Sequence, residues 1–228
     1  MDMEPATGMK INEYKTKSGK PIRLIQGDCM EWLEDCRQYD LAIVDPPYGN
    51  KSDATKTFTS NSINKASDRT EYKQFDQRPP TINYFNKLKE ISNNQIIWGG
   101  NYFNGITGGV IAWNKNGTAF GEGEVAICST HKSVRFYECT WNGMLQHDMK
   151  DKQQRIHPTE KPIKLYRWLL QNYAEENDTI LDTHGGSMSL AIACYIEDYA
   201  LDIIELDEDY YSDAVKRFEN HISQKTLF

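Results

Sequence analysis

The stretch Tyr39 to Gly49, YDLAIVDPPYG, limits the possible folds more than any other part of the 228-residue chain. Its apolar run Leu41-Ala42-Ile43-Val44 stops abruptly at an acid, two prolines, an aromatic and a glycine. A short continuous apolar run bounded by breakers reads as a parallel strand buried on both faces. In open α/β sheets, ligands gather just beyond the carboxyl ends of such strands. Asp45 and Tyr48 are therefore expected on the floor of a cleft. A strand followed by a rigid structural turn would fit the same residues, so the stretch alone leaves both readings open.

The residue types suit one chemistry in particular. An exocyclic amine on a nucleobase carries two hydrogens, so holding it takes two acceptors. Asp45 offers a carboxylate and Pro46 a backbone carbonyl. Pro46 fixes its own φ and Pro47 biases Pro46 toward an extended ψ, which keeps the two acceptors in a rigid frame. Tyr48 offers a face on which a base could stack, worth about 1–3 kcal/mol.

Further motifs lie in the second half. His157-Pro158-Thr159-Glu160-Lys161-Pro162 leads into a helix in which Ile163, Tyr166, Leu170 and Tyr173 recur at helical spacing, with Pro162 tolerated in the first turn. Asp178 to Ser187 reads as a strand, a glycine turn and a helix start. Gly185 and Gly186 allow close backbone approach to a ligand, and the helix N-terminus favours anionic groups. Tyr199 to Glu205 is the next strand. A carboxylate ending the strand after a glycine turn is how such folds hold a ribose diol, which singles out Glu205, with Asp207 as the alternative.

These motifs, in this order, resemble those of the β group of the DNA amino-methyltransferases, which methylate adenine N6 or cytosine N4 with S-adenosylmethionine. The resemblance runs from about Ile22 to Phe218. It implies a single α/β domain over residues 1–228 with a circularly permuted Rossmann-like fold. The expected sheet is mostly parallel, of roughly seven strands with one antiparallel near the edge, and carries helices on both faces. Asp45, Pro46, Pro47 and Tyr48 would be catalytic. Asp28, Asp45, Thr159, Lys161, Asp182, Thr183, Gly185, Gly186, Ser187 and Glu205 would bind the cofactor, Thr159 and Lys161 at its methionine end. The aspartate form of the catalytic motif leans toward adenine N6, with cytosine N4 as the alternative. Double-stranded DNA is the implied partner, self-association a further one, and a restriction-modification setting the implied context.

One departure from the family's pattern stands out. Its cofactor loop usually reads Asp-Pro-Phe-x-Gly-Ser-Gly, whereas this chain has Thr183, His184 and Met188 in place of the proline, the aromatic and the last glycine. Met188 either fits on the helix or weakens cofactor binding, and the second outcome would suit a DNA-binding relative without catalysis. His184 has no companion ligand set and is expected to pack beside the cofactor rather than hold a metal. Asp28 reads as an acceptor for the cofactor's adenine amine or as an N-cap for the helix Met30 to Arg37, and the two are compatible.

Composition narrows the setting. A hydrophobic content of 39% and a charged content of 26% suit a globular protein with a substantial core. No apolar run approaches the roughly 18 residues of a membrane span, and the first residues lack the apolar core of a signal peptide. The five cysteines are scattered, with no C-x-x-C pair, which suits a reducing cytoplasm and argues against a structural zinc. The net charge of −7 is unevenly spread. Glu175 to Asp213 contains no Lys or Arg. Lys51, Lys56, Lys65, Arg69, Lys73 and Arg78 fall in one segment, and Lys132, Arg135, Lys150, Lys152, Arg155 and Lys161 in another. A basic cleft on an acidic body would suffice for phosphate contacts, and solvated lysines would look the same.

The rest of the chain is read more coarsely. Residues 1 to about 20 are polar and expected to fray at their start. Residues 50–80 read as a mobile loop, closing over DNA or simply inserted. Ile82, Phe85, Leu88 and Ile91 share a helix face, and Asn94 to Trp98 is a strand. Asn101 to Phe103 reads as a helix start. Val110 to Lys115 and Glu124 to Cys128 form an antiparallel pair. Residues 131–156 read as a small, irregular target-recognition element. The tail Gln224, Leu227, Phe228 is similar to peptides that bind the bacterial sliding clamp, and a frayed end is the other reading.

Overall fold

A computed structural model of the chain describes residues 8–49, 79–116, 122–141, 156–157 and 159–224. Residues 50–78 of the expected loop, residues 142–155 of the recognition element, Pro158, and Leu227 and Phe228 of the tail lie outside the described residues.

Nine strands form one sheet: β1 (Lys10–Lys15), β2 (Pro21–Gln26), β3 (Tyr39–Val44), β4 (Ser92–Trp98), β5 (Gly109–Asn114), β6 (Gly123–Cys128), β7 (Val134–Glu138), β8 (Thr179–Asp182) and β9 (Ala200–Glu205). Their spatial order is β1-β2-β9-β8-β3-β4-β6-β5-β7. The strands β2, β9, β8, β3 and β4 run parallel, and β6 is antiparallel to both β4 and β5. The inner seven match the expected sheet, including the antiparallel pair at 109–128. The correction to nine comes from one added strand at each edge. Lys10–Lys15, in a polar segment where no strand was expected, pairs antiparallel with β2, and Val134–Glu138, expected to be irregular, pairs parallel with β5.

Alternation along the central strand separates two cores. Leu41 and Ile43 face a cluster with α3 (Ile163–Tyr173), α4 (Ser189–Glu197) and α5 (Glu208–Ser223). Ala42 and Val44 face the opposite cluster, with α1 (Cys29–Asp35) and α2 (Ile82–Ile91). A strand covered on both faces has no polar side to show, which is why it reads as an unbroken apolar run. The helix face expected on α2 is shifted. Phe85, Leu88 and Ile91 are buried, but Ile82 is 54% exposed and Tyr84 is buried in its place. Beyond β4, Asn101 to Phe103 does not start a helix, and only a single 3-10 turn spans Gly100–Tyr102.

One charge lies deep in the sheet. Asp202, in the middle of β9, accepts two hydrogen bonds from Arg23 at 2.6 Å each and a third from the Tyr39 hydroxyl at 2.6 Å. Arg37 adds a longer ion pair at 3.5 Å, and the Trp32 indole N–H donates to the Tyr39 oxygen at 3.1 Å. A buried carboxylate is tolerated only with such saturation.

Candidate active site

Parallel strands end on the same side of a sheet. Because β2, β9, β8 and β3 are parallel neighbours, the residues after their carboxyl ends form one edge: Asp28, Glu205, Asp182 and Asp45. The permuted chain order thus brings the proline turn after β3 beside the glycine turn after β8, although well over a hundred residues separate them.

Asp45 has both oxygens occupied. Tyr48 donates its hydroxyl to Oδ1 at 2.5 Å, and the Lys161 ammonium donates to Oδ2. The Tyr48 ring stacks on Tyr102, with centroids 5.1 Å apart at 27°, and meets Phe103 edge-on at 6.2 Å. Burial and the Asp45 carboxylate push the Tyr48 hydroxyl well above the usual tyrosine range, so it stays a donor. The ring needs Gly99. A Cβ there would lie 2.1 Å from Tyr48 Cε1, and its φ of +63° is left-handed. Pro46 is buried and Pro47 half-buried.

Lys161 links the HPTEKP segment to this turn. Its ammonium also lies 3.1 Å from Glu124 Oε2 on β6, and Glu124 Oε1 pairs with Lys115. Lys161 is therefore no part of an open basic surface. It is 3% exposed and doubly ion-paired. Thr159 is exposed and its hydroxyl shares a hydrogen bond with His157 Nδ1 at 3.2 Å.

The glycine turn is held from three directions. Gly185 lies against β9, its N–H donating to the Ile204 carbonyl at 2.7 Å. Gly186 has φ +51°, and its N–H donates to Glu205 Oε2 at 2.7 Å. The His157 ring lies 3.5 Å from the position a Gly186 Cβ would take, so HPTEKP closes over the turn. Arg217 of α5 then ties the two together. It donates to the Ser187 carbonyl at 2.8 Å and to Glu160 Oε1 at 3.1 Å. Thr183 shares a hydrogen bond with the Tyr84 hydroxyl at 2.6 Å and another with His184 Nδ1 at 2.9 Å. The His184 ring meets Tyr84 edge-on, and burial pulls its pKa down to about 4, which leaves it neutral and a packing group.

Met188 is accommodated at the start of α4. Its backbone is left-handed, φ +54°, at the N-cap of α4, and its side chain is fully buried in the core under the helices. Glycine suits this position because of backbone conformation.

Carboxylates dominate that edge. Burial pushes the Asp182 carboxyl up to about 8, which the His184 N–H and Lys161 offset only in part, while Asp45 and Glu205 add to it. Burial also raises Glu205, whose Oε1 accepts from the Asp207 N–H at 2.8 Å. Asp28 is exposed and caps α1 through the Met30 N–H at 2.8 Å, and Asp207 caps α5. Such an edge disfavours a phosphate and suits a cationic ligand bearing hydroxyls. Exposed Leu206 beside Glu205 adds an apolar surface.

Several of these groups carry no sequence signal. Glu124, Lys115, Glu160, Tyr84, Tyr102 and Arg217 reach the site only through the sheet order and helix packing. Glu160 alone lies within a motif, the HPTEKP segment.

A family model described as DNA methylase, of the N6 and N4 methyltransferases, matches residues 86–216, more than half of the chain. Type II methyltransferase M2.MboI of Moraxella bovis is 23% identical over 95% of this chain and 97% of its own length. A short stretch, 15% of the chain, is 57% identical to 5% of the ribosomal RNA large subunit methyltransferase K/L of Shewanella loihica. Among solved structures, the M1.HpyAVI-SAM complex superposes with a TM-score of 0.55 at 18% identity, over 85% of this chain and 98% of that one. The cytosine-N4-specific PvuII DNA methyltransferase gives the same score at 13% identity, over 92% and 94%. The family match, spanning α2 to α5 with the glycine turn and HPTEKP inside it, shows that the chain belongs to the DNA methylase family of N6 and N4 methyltransferases.

Proposed function

We propose that the protein methylates the N6 amine of an adenine flipped out of double-stranded DNA, with S-adenosylmethionine as methyl donor. The observation that carries this reading is the adjacency of the Asp45 turn and the Gly185-Gly186 turn at neighbouring parallel strand ends. The acid-rich edge fits the cofactor, a sulfonium with a free ribose diol. Glu205 would take the diol, Asp28 the adenine amine, and Leu206 the adenine face. Asp182, Thr183, Ser187 and the two glycines would shape the floor, and Thr159 the methionine end. When bound, the cofactor supplies an electrophilic methyl group on sulfur.

The chain's own residues do the rest. A base inside the stack is out of reach, so it must be extruded. Asp45 and the Pro46 carbonyl accept the two amine hydrogens and draw the nitrogen lone pair out of conjugation. Tyr48 offers its ring to the base. The methylated nitrogen would shed a proton, for which the Asp45 carboxylate is the candidate acceptor. Positioning of this kind carries most of the rate. No cysteine nucleophile takes part.

The test is methyl transfer from labelled S-adenosylmethionine to unmethylated duplex DNA, followed by nucleoside mass spectrometry. N6-methyladenine is expected, and Asp45→Ala should lower the rate by about 10²- to 10⁴-fold. N4-methylcytosine would move the target to cytosine. An unchanged rate in Asp45→Ala would remove Asp45 from the chemistry, and failure to bind the cofactor would favour a DNA-binding relative without catalysis.

A further inference from the structure

Lys161 is claimed by two carboxylates at once. Four charged groups alternate in a line, Asp45, Lys161, Glu124 and Lys115, and their charges cancel. Both cations sit on indole faces, Lys161 5.1 Å from the Trp98 centroid and Lys115 4.7 Å from that of Trp113. The two indoles meet edge to face at 6.2 Å and are buried, so these seats are rigid. The Lys161 side chain is 2% exposed, and an ammonium so placed needs a carboxylate at all times.

Asp45 is the end of this line that faces substrate. Each of its oxygens already has one donor, so an amine hydrogen would be accepted in competition with Tyr48 on one oxygen or Lys161 on the other. We infer that Glu124 is a positioning residue, retaining Lys161 on its Trp98 seat while Asp45 turns an oxygen to the target amine. Lys115 completes the device. Burial would raise the Glu124 carboxyl, but Lys161 and Lys115 outweigh it and hold it down to about 2, so Glu124 stays ionised. With Glu124 neutral, Asp45 would be the sole carboxylate for a buried ammonium, and that pair would compete with the amine in a low dielectric. The inference rests on the role proposed above for Asp45.

The test uses Glu124→Gln, close in shape but uncharged, with Glu124→Asp as the conservative partner. Single-turnover rate, KM for DNA, cofactor Kd by calorimetry and thermal melting are measured for each. Glu124→Gln should lower the methyl-transfer rate by about 10- to 100-fold, with Kd and KM within about threefold. Glu124→Asp should recover part of the loss. In a Lys161→Met background the added Glu124→Gln change should cost little more, because there is no ammonium left to retain. A rate in Glu124→Gln within about threefold of the parent, alongside an inactive Asp45→Ala, overturns the inference and leaves the Asp45 role standing. Equal losses in rate, Kd and melting temperature, or an undiminished loss in the Lys161→Met background, would make Glu124 merely structural and also overturn it. An active Asp45→Ala removes the foundation itself, a failure distinct from the others.

Discussion

Asp202 and Asp45 are two acids of one sheet, each paired with a base, and they are built differently. Asp202 lies mid-strand and fully buried, gripped by a two-pronged arginine, a tyrosine hydroxyl and a second arginine. Asp45 lies past a strand end, 15% exposed, with a tyrosine hydroxyl and a lysine that a second acid also holds. The guanidinium fork leaves Asp202 no free geometry, whereas an ammonium is a point charge that can be passed between acceptors. A saturated acid holds the body of the sheet together, and an exchangeable one can do chemistry at its edge.

That contrast can be broken by experiment. The largest effect expected on folding is from Asp202→Ala, which strands Arg23 in the core and should cost about 3–5 kcal/mol in denaturant unfolding. Asp45→Ala should cost clearly less, since Lys161 keeps Glu124. Equal losses would erase the distinction. A smaller effect concerns Asp182, an acid of the edge that lacks an ion-pair partner among the described residues. Its folded pKa, about 8, lies above the ordinary carboxylate value near 4, so the folded form binds the proton more tightly. That stabilisation is full below about pH 4 and is lost as pH rises through about 8. The cofactor-free protein should therefore lose stability over this window, and Asp182→Asn should flatten the profile. A flat profile in the parent would show that Asp182 is as well compensated as Asp202. The smallest effect is expected from Met188→Gly. It relieves a left-handed residue, worth about 1–2 kcal/mol, and empties a buried site, worth about 2–5. A net loss of about 1–3 kcal/mol with unchanged cofactor affinity would assign Met188 to the body; a gain in affinity would assign it to the edge.

Much of this arrangement was legible in the chain because it depends on local signals. The run Leu41 to Val44 stopped by Asp45 and two prolines, the glycines after Asp182, and the acid ending β9 each announce a strand end. Asp28 proved to be the N-cap that its place before Met30 suggested. The edge strands were hidden for a physical reason. Lys10–Lys15 and Val134–Glu138 pair through backbone hydrogen bonds and bury little, with Val134 and Phe136 left exposed, so no apolar pattern marks them. Tyr84 was hidden because α2 is rotated enough to leave Ile82 outside. The Lys161 pairings were hidden because they join β3, β6 and the segment before α3, which only the order of strands brings together.

The reach of Arg217 has a consequence for how the protein could respond to its ligand. One guanidinium from the final helix holds the backbone at Ser187 and the side chain of Glu160, and His157 rests on Gly186. The glycine turn and the HPTEKP segment are thus fastened to the same post. A shift of either would drag the other, so the two segments answer to a single side chain of α5.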